Sequence, residues 1–265
     1  NEPPLSEGVL GSPMPAVGRL PEAQKLLRTA LADQWALDRC DTIRNNYTRQ
    51  MLAIVRAKRG DLEEAIALMR QAVAADAKLN ATPTVDTGTI TAMLGEMMVE
   101  SGQFDEGLTA IDRAEVIVVE AGGAGQEYPS MRRQVRRAHC LLVAGQAEAA
   151  LAEAMALQGR VRDADGWLPA VALRLRVAAL RELSRLGEAD ELLPAMLQAM
   201  QAPERSASDR AGAFLEAALL GLARGRDGQA AAFARDAVAL LLPMQVPQSP
   251  LLRRAREIAA RCGVG

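Results

Sequence analysis

Apolar residues return at every third or fourth position over most of this chain. The pattern is clearest from Thr87 to Ser101 and again from Phe104 to Ala121. Each stretch predicts a helix of about four to five turns. Gly102 stands between them and fits the left-handed residue that closes the first helix. Asp105 and Glu106 follow, where the positive end of the next helix dipole favours acids. The same two-helix reading holds around Gly60, Gly145, Gly187 and Gly225.

These glycines belong to a repeating motif. It reads GRLPEA at Gly18, GDLEEA at Gly60, GQFDEG at Gly102, GQAEAA at Gly145, GEADEL at Gly187 and GRDGQA at Gly225, with separations of 42, 42, 43, 42 and 38 residues. A near-constant period of this size predicts a solenoid whose units each bury one face on the next. Small residues repeat in step. Seven positions beyond each motif stand Ala30, Ala72, Ala114, Leu157, Ala199 and Ala237. Seven before each glycine stand Gly11, Ala53, Gly95, Ala138, Leu180 and Ala218. Seven residues is two helical turns, so these sites predict close helix crossings.

The pairs Leu52-Ala53 and Leu94-Gly95, the turn Gly60-Asp61, and Ala65 with Ala72 resemble the tetratricopeptide (TPR) family. The resemblance is strongest over residues 49–72 and 91–114 and extends loosely from about 18 to 240. The period exceeds the family's usual ~34 residues, as in its long-helix variants. The resemblance implies an all-α, right-handed α-solenoid of about five to six antiparallel helix pairs, the first helix of each pair lining a concave groove. Residues 18–265 are expected to form this single domain. Residues 1–17, with four prolines, read as a degraded first helix or a linker. At the other end, Ser249 to Cys262 predicts a terminal capping helix, with Ser249 as its cap and Pro250 first in the helix.

Composition agrees. Alanine and leucine dominate and aromatics are only 3%, which suits helices packed through small residues rather than a sandwich or barrel. The net charge of −2 supplies no global field for nucleic acid. The longest apolar runs, such as Ala237 to Met244, fall short of the ~20 residues that cross a bilayer. The first residue is Asn1, which suggests a piece excised from a larger protein. Cys40, Cys140 and Cys262 are far apart and odd in number, so they are expected to be unpaired, favouring a reducing compartment.

No catalytic constellation emerges, and neither an enzyme nor a cofactor or metal is expected. His139 and Cys140 are neighbours, but adjacent helical residues point about 100° apart. Asp163-Ala-Asp165-Gly166 lacks the closing Glu of a calcium loop, with Arg174 in its place. The AGGAG run at Ala121 follows a helix, whereas phosphate loops follow a strand. Met93, Met97 and Met98 read as core.

Charge is unevenly distributed. Asp86 to Ser130 holds nine acids and one base (net −8), and Met131 to Arg185 holds ten arginines and five acids (net +5). This reads either as repeats attracting one another across their junction or as a binding surface. If first helices face inward, the groove presents Arg132, Arg136 and His139, then Arg174, Arg181 and Arg185. Tyr47, Gln50 and Lys58 extend it at one end, and Glu96 and Glu100 lie between. Where the family's peptide-carboxylate clamp has Asn, this chain has Ile54, Glu96, His139 and Arg181, so that specificity is not carried over. The expected function is a protein- or peptide-binding scaffold or adaptor from a bacterial multidomain protein. Its Arg-rich groove would hold an acidic or phosphate-bearing partner, without nucleic acid or membrane insertion. The alternative is a ligand-sensing domain of a bacterial membrane kinase or transcription regulator. The first reading goes with a cytoplasmic setting, the second with a periplasmic one.

Overall fold

The computed structural model describes residues 43–122, 127–160, 167–202, 205–243 and 249–263, together with Lys25, Arg28 and Thr29. The Gly18 motif, residues 1–17, Cys40, the Asp163 loop and residues 123–125 of the AGGAG run lie outside these residues. The described residues form eleven helices and no strand: α1 (Ile43–Arg59), α2 (Leu62–Leu79), α3 (Val85–Glu100), α4 (Phe104–Gly122), α5 (Glu127–Val143), α6 (Ala147–Arg160), α7 (Trp167–Glu182), α8 (Leu186–Met200), α9 (Ala207–Ala223), α10 (Asp227–Leu241) and α11 (Pro250–Arg261). They make five helix pairs, closed by α11 as the terminal cap.

The turn inside each pair has one chemistry. Gly60, Gly102, Gly145 and Gly225 have φ of 91°, 90°, 76° and 68°. The next residue donates its N–H to the carbonyl five positions back: Asp61 to Arg56, Gln103 to Met98, Gln146 to Leu141 and Arg226 to Gly221, at 2.8–3.0 Å. This closure satisfies carbonyls left over at the helix end, and it needs a residue that tolerates positive φ.

The fourth pair corrects the sequence register. Its left-handed residue is Ser184, at φ 58°, and Arg185 donates to the Leu180 carbonyl at 2.9 Å. Gly187 is the second residue of α8, with open space where a Cβ would stand. The motif there is therefore SRLGEA at Ser184, three residues earlier than glycine matching places it. The hydrogen-bonded closure, not the glycine, fixes the register. The crossing positions move with it. Val177 and Met196, both fully buried, take the places expected of Leu180 and Ala199.

Elsewhere the small residues sit as expected. Ala53, Ala65, Ala72, Ala114 and Ala138 are fully buried. At the α3–α4 crossing the approach is close enough that a Cβ on Gly95 would lie 2.6 Å from the Gly107 carbonyl oxygen, and one on Gly107 2.7 Å from that of Gly95. Met93, Met97 and Met98 join the core of the first two pairs. Cys140 is buried beside Val99 and Ile111, and both described cysteines, Cys140 and Cys262, are free. In α11, Leu252, Ala255 and Ile258 are buried while Arg253, Arg254 and Arg256 are exposed. Ser249 holds the cap position, but its side chain makes no capping hydrogen bond, contrary to expectation. None of the described helices is long and apolar enough to cross a membrane.

Candidate functional site

Two layers of helices have different neighbours. The first helices α3, α5, α7, α9 and α11 touch in succession, whereas the second helices reach the next pair through its first helix. The first helices therefore form the inner layer. Charges on helices far apart in sequence act on one another across this face. The Lys58 ammonium at the end of α1 feels the Asp209 carboxylate of α9, although desolvation is the larger effect and pulls its pKa down. His139 on α5 feels Arg254 on α11.

At the centre of this face α3 and α5 bring four charged or ionisable groups together. Glu96 and Glu100 are one turn apart on α3, and Arg136 and His139 are neighbours on one face of α5. Arg136 Nε donates to Glu96 Oε2 at 2.5 Å. Donor atoms of Glu96, Glu100 and His139 all lie within 4.8 Å of one another. These are ligand types that a divalent cation accepts, but Arg136 already supplies positive charge to Glu96. Burial works against the Glu96 charge, yet Arg136 and His139 outweigh it and hold its pKa low. Glu100 has no hydrogen-bonded cation among the described residues, and the Arg136 charge only partly offsets its environment. Desolvation, and then the neighbouring Glu96, raise its carboxyl to about 7. His139 is pushed below its ordinary value, mainly by desolvation, with Arg174 and Arg254 adding to that and Glu96 opposing it. Cys140, one residue on, points into the core, and burial raises its thiol pKa well above the usual range.

The network continues along the array. Arg181 donates to Glu216 on α9 at 3.0 Å and to Glu182 at 2.7 Å. Glu216 is itself buried and lies 3.8 Å from Arg254. Arg174 lies over Gly212 of α9 and makes no hydrogen bond or ion pair among the described residues. Arg132 stacks on Trp167, its guanidinium carbon 5.5 Å from the ring centroid.

The structure thus gathers Arg136, His139, Arg174 and Arg181 into one inner network. Arg185 is instead paired with Glu188 at the exposed α7–α8 turn, at 2.6 Å. Tyr47 is 43% exposed, Gln50 half-buried and Lys58 exposed, all at the far end. With the register set by Ser184, Ala178 rather than Arg181 stands at the family's Asn position. Sequence reading missed Glu216 and Arg254. Glu216 is the lone acid within the apolar run Phe214 to Leu222, a signal that it needed a cationic partner.

Charge segregation also has a structural counterpart. Arg133 of α5 reaches back to Glu115 at 2.8 Å, and Arg137 to Asp112 at 2.7 Å and to Glu153. With Arg136 and Glu96, three basic residues of the third described pair hold acids of the second. Away from this face, a recess of about 680 Å³ opens between α2 and α4 over Leu94 and Met98, and Arg70 and Glu106 approach to 3.7 Å at its edge.

No family model and no curated protein matches the chain. Solved structures do. A putative kinesin light chain from Podosopora anserina with nearly identical TPR-like repeats is 23% identical, over 70% of this chain and 88% of its own, with a TM-score of 0.56. BtubC (BKLC) from P. vanneervenii is 17% identical, over 85% of this chain and 92% of its own, with a TM-score of 0.60. The eleven helices and these likenesses establish one architecture: the chain is an all-α, TPR-like α-solenoid.

Proposed function

We propose that the inner face holds an acidic or phosphate-bearing segment of a protein partner, and that the chain acts as a scaffold rather than an enzyme. The observation that carries this reading is Arg174. Most inner arginines are committed: Arg136 to Glu96 and Arg181 to Glu216. Arg174 meets no carboxylate among the described residues, its buried Nε has no hydrogen-bond partner, and it acts on His139 together with Arg254. A forked guanidinium matches carboxylate or phosphate oxygens. Arg254 can turn to the same ligand, since its contact with Glu216 is long and its side chain is 54% exposed. Lys58 and Tyr47 extend the surface.

The test is Arg174→Glu, with folding confirmed by circular dichroism. Binding of a labelled oligoglutamate peptide is measured by fluorescence anisotropy, with a phosphoserine peptide in parallel. The wild type should bind, and more weakly as salt rises, because open charges are screened over about 8–10 Å. The folded variant should lose about tenfold, since the reversal changes the local charge by two units. Equal binding by the variant would leave Arg174 on a solvated face.

A further inference from the structure

We propose that the Glu96–Glu100–Arg136–His139 cluster puts the groove under proton control: it sheds negative charge as pH falls below neutrality and so favours an acidic ligand in mildly acidic solution. This regulation rests on the acidic-partner reading above.

The geometry carries the argument. Two carboxylates one helical turn apart share a single guanidinium, and that guanidinium is bonded to Glu96. Glu100 is left as the unmatched acid. It is also the last residue of α3, at the negative end of the helix dipole. Both features favour its neutral form. Its carboxyl is raised to about 7, first by desolvation from the groups crowded on the inner face, although part of the side chain stays open to solvent, and then by Glu96. The remaining influence on Glu100 is Arg136, which opposes the rise. On His139 act Glu96 from α3, Arg174 from α7, Glu216 from α9 and Arg254 from α11. From the other helices packed on α3, Asp76 of α2 is bonded to Thr87 at the far end of α3, and Asp105 and Glu106 of α4 line the outer recess.

The signs agree. From pH 8 to pH 6 Glu100 goes from charged to neutral. Further down, His139 gains a positive charge, later than an ordinary histidine. Both steps move the inner face toward positive. By linkage, an acidic ligand seated there raises the proton affinity of Glu100 in return. The two carboxylates titrate as a pair, with Glu96 held ionised by Arg136.

The experiment compares wild type with Glu100→Gln, an isosteric change at an exposed side chain. Anisotropy titrations with the oligoglutamate peptide are run at pH 6 and pH 8 at constant ionic strength. The wild-type Kd should rise about threefold between them, the effect of one partly screened charge in the groove. Glu100→Gln should bind at both pH values about as the wild type does at pH 6. Measurable binding that is flat in pH for the wild type, or an equal pH dependence in Glu100→Gln, overturns proton control and leaves the acidic-partner reading standing. No binding by either protein at either pH overturns both.

Discussion

Replacing Gly95 by alanine tests whether the α3–α4 crossing is as close as its backbone geometry says. A Cβ there would lie 2.6 Å from the Gly107 carbonyl oxygen, 2.8 Å from Ile111 Cγ1 and 3.2 Å from Ala110 Cβ. Ordinary contact needs about 3.5 Å, so the helices must part by nearly an ångström at their nearest point. The main obstacle is backbone, which cannot rotate away. Overpacking of this kind costs about 1–3 kcal/mol, and the upper end applies. Alanine recovers about 1 kcal/mol of helix propensity. The net loss should be about 1–2 kcal/mol, or roughly 2–8 °C in Tm for a chain of this size. Thermal and urea unfolding should be followed by both circular dichroism and tryptophan fluorescence, because repeat arrays can lose cooperativity. Gly159→Ala is the control. It lies in α6 with no atom within 4 Å of a built Cβ, so it should be neutral or stabilising by up to about 0.5 kcal/mol. If Gly95→Ala were as stable as the control, the crossing would be looser than described and the small-residue argument would fail with it.

Ser184→Gly should stabilise by about 0.5–1 kcal/mol in urea melts, because relief of a left-handed serine exceeds the entropy glycine adds to the unfolded chain. A loss instead would mean that the Ser184 turn is not the fourth closure. Arg181→Met should cost about 2–4 kcal/mol by leaving Glu216 short of its nearest cation, while adding Glu216→Leu should restore most of it. A harmless single variant would refute the pairing.

The architecture was legible because the repeat carries its chemistry openly. Glycines at Gly60, Gly102, Gly145 and Gly225 are needed by positive φ, and alanines at Ala65, Ala72 and Ala138 by close crossings. The fourth closure was misread for the same reason. Matching on glycine selects Gly187, but a serine can occupy the left-handed region at a modest energetic cost. What decides the register is which N–H reaches the carbonyl five residues back, and that is not written in one residue type. The inner face was legible only in part. Helical spacing put Arg136 and His139 on one face of α5, where both act on Glu96, whereas Arg132 stacks on Trp167. It could not show that Arg136 is committed to Glu96, 40 residues away, or that Glu216 brings Arg181 and Arg254 together. Such pairings depend on the curvature of the array, which sums small rotations at every junction.

That distinction changes which arginines can report on function. The acidic segment from Asp86 to Ser130 and the basic segment after it read equally well as a junction or as a ligand surface. The structure assigns three of these arginines to the junction. Arg133, Arg136 and Arg137 reach back across the junction to Glu115, Glu96 and Asp112. The Arg133 side chain is only 4% exposed, and its partner Glu115 is 42% exposed. A reversal at Arg136 would set a like charge against Glu96 and strain the α3–α5 contact whether or not any ligand binds there. Loss of binding in such a variant would therefore say nothing about recognition. Arg174 is different, because no carboxylate among the described residues depends on it. A charge change there leaves every described ion pair intact, so its effect on an acidic peptide isolates the groove from the fold.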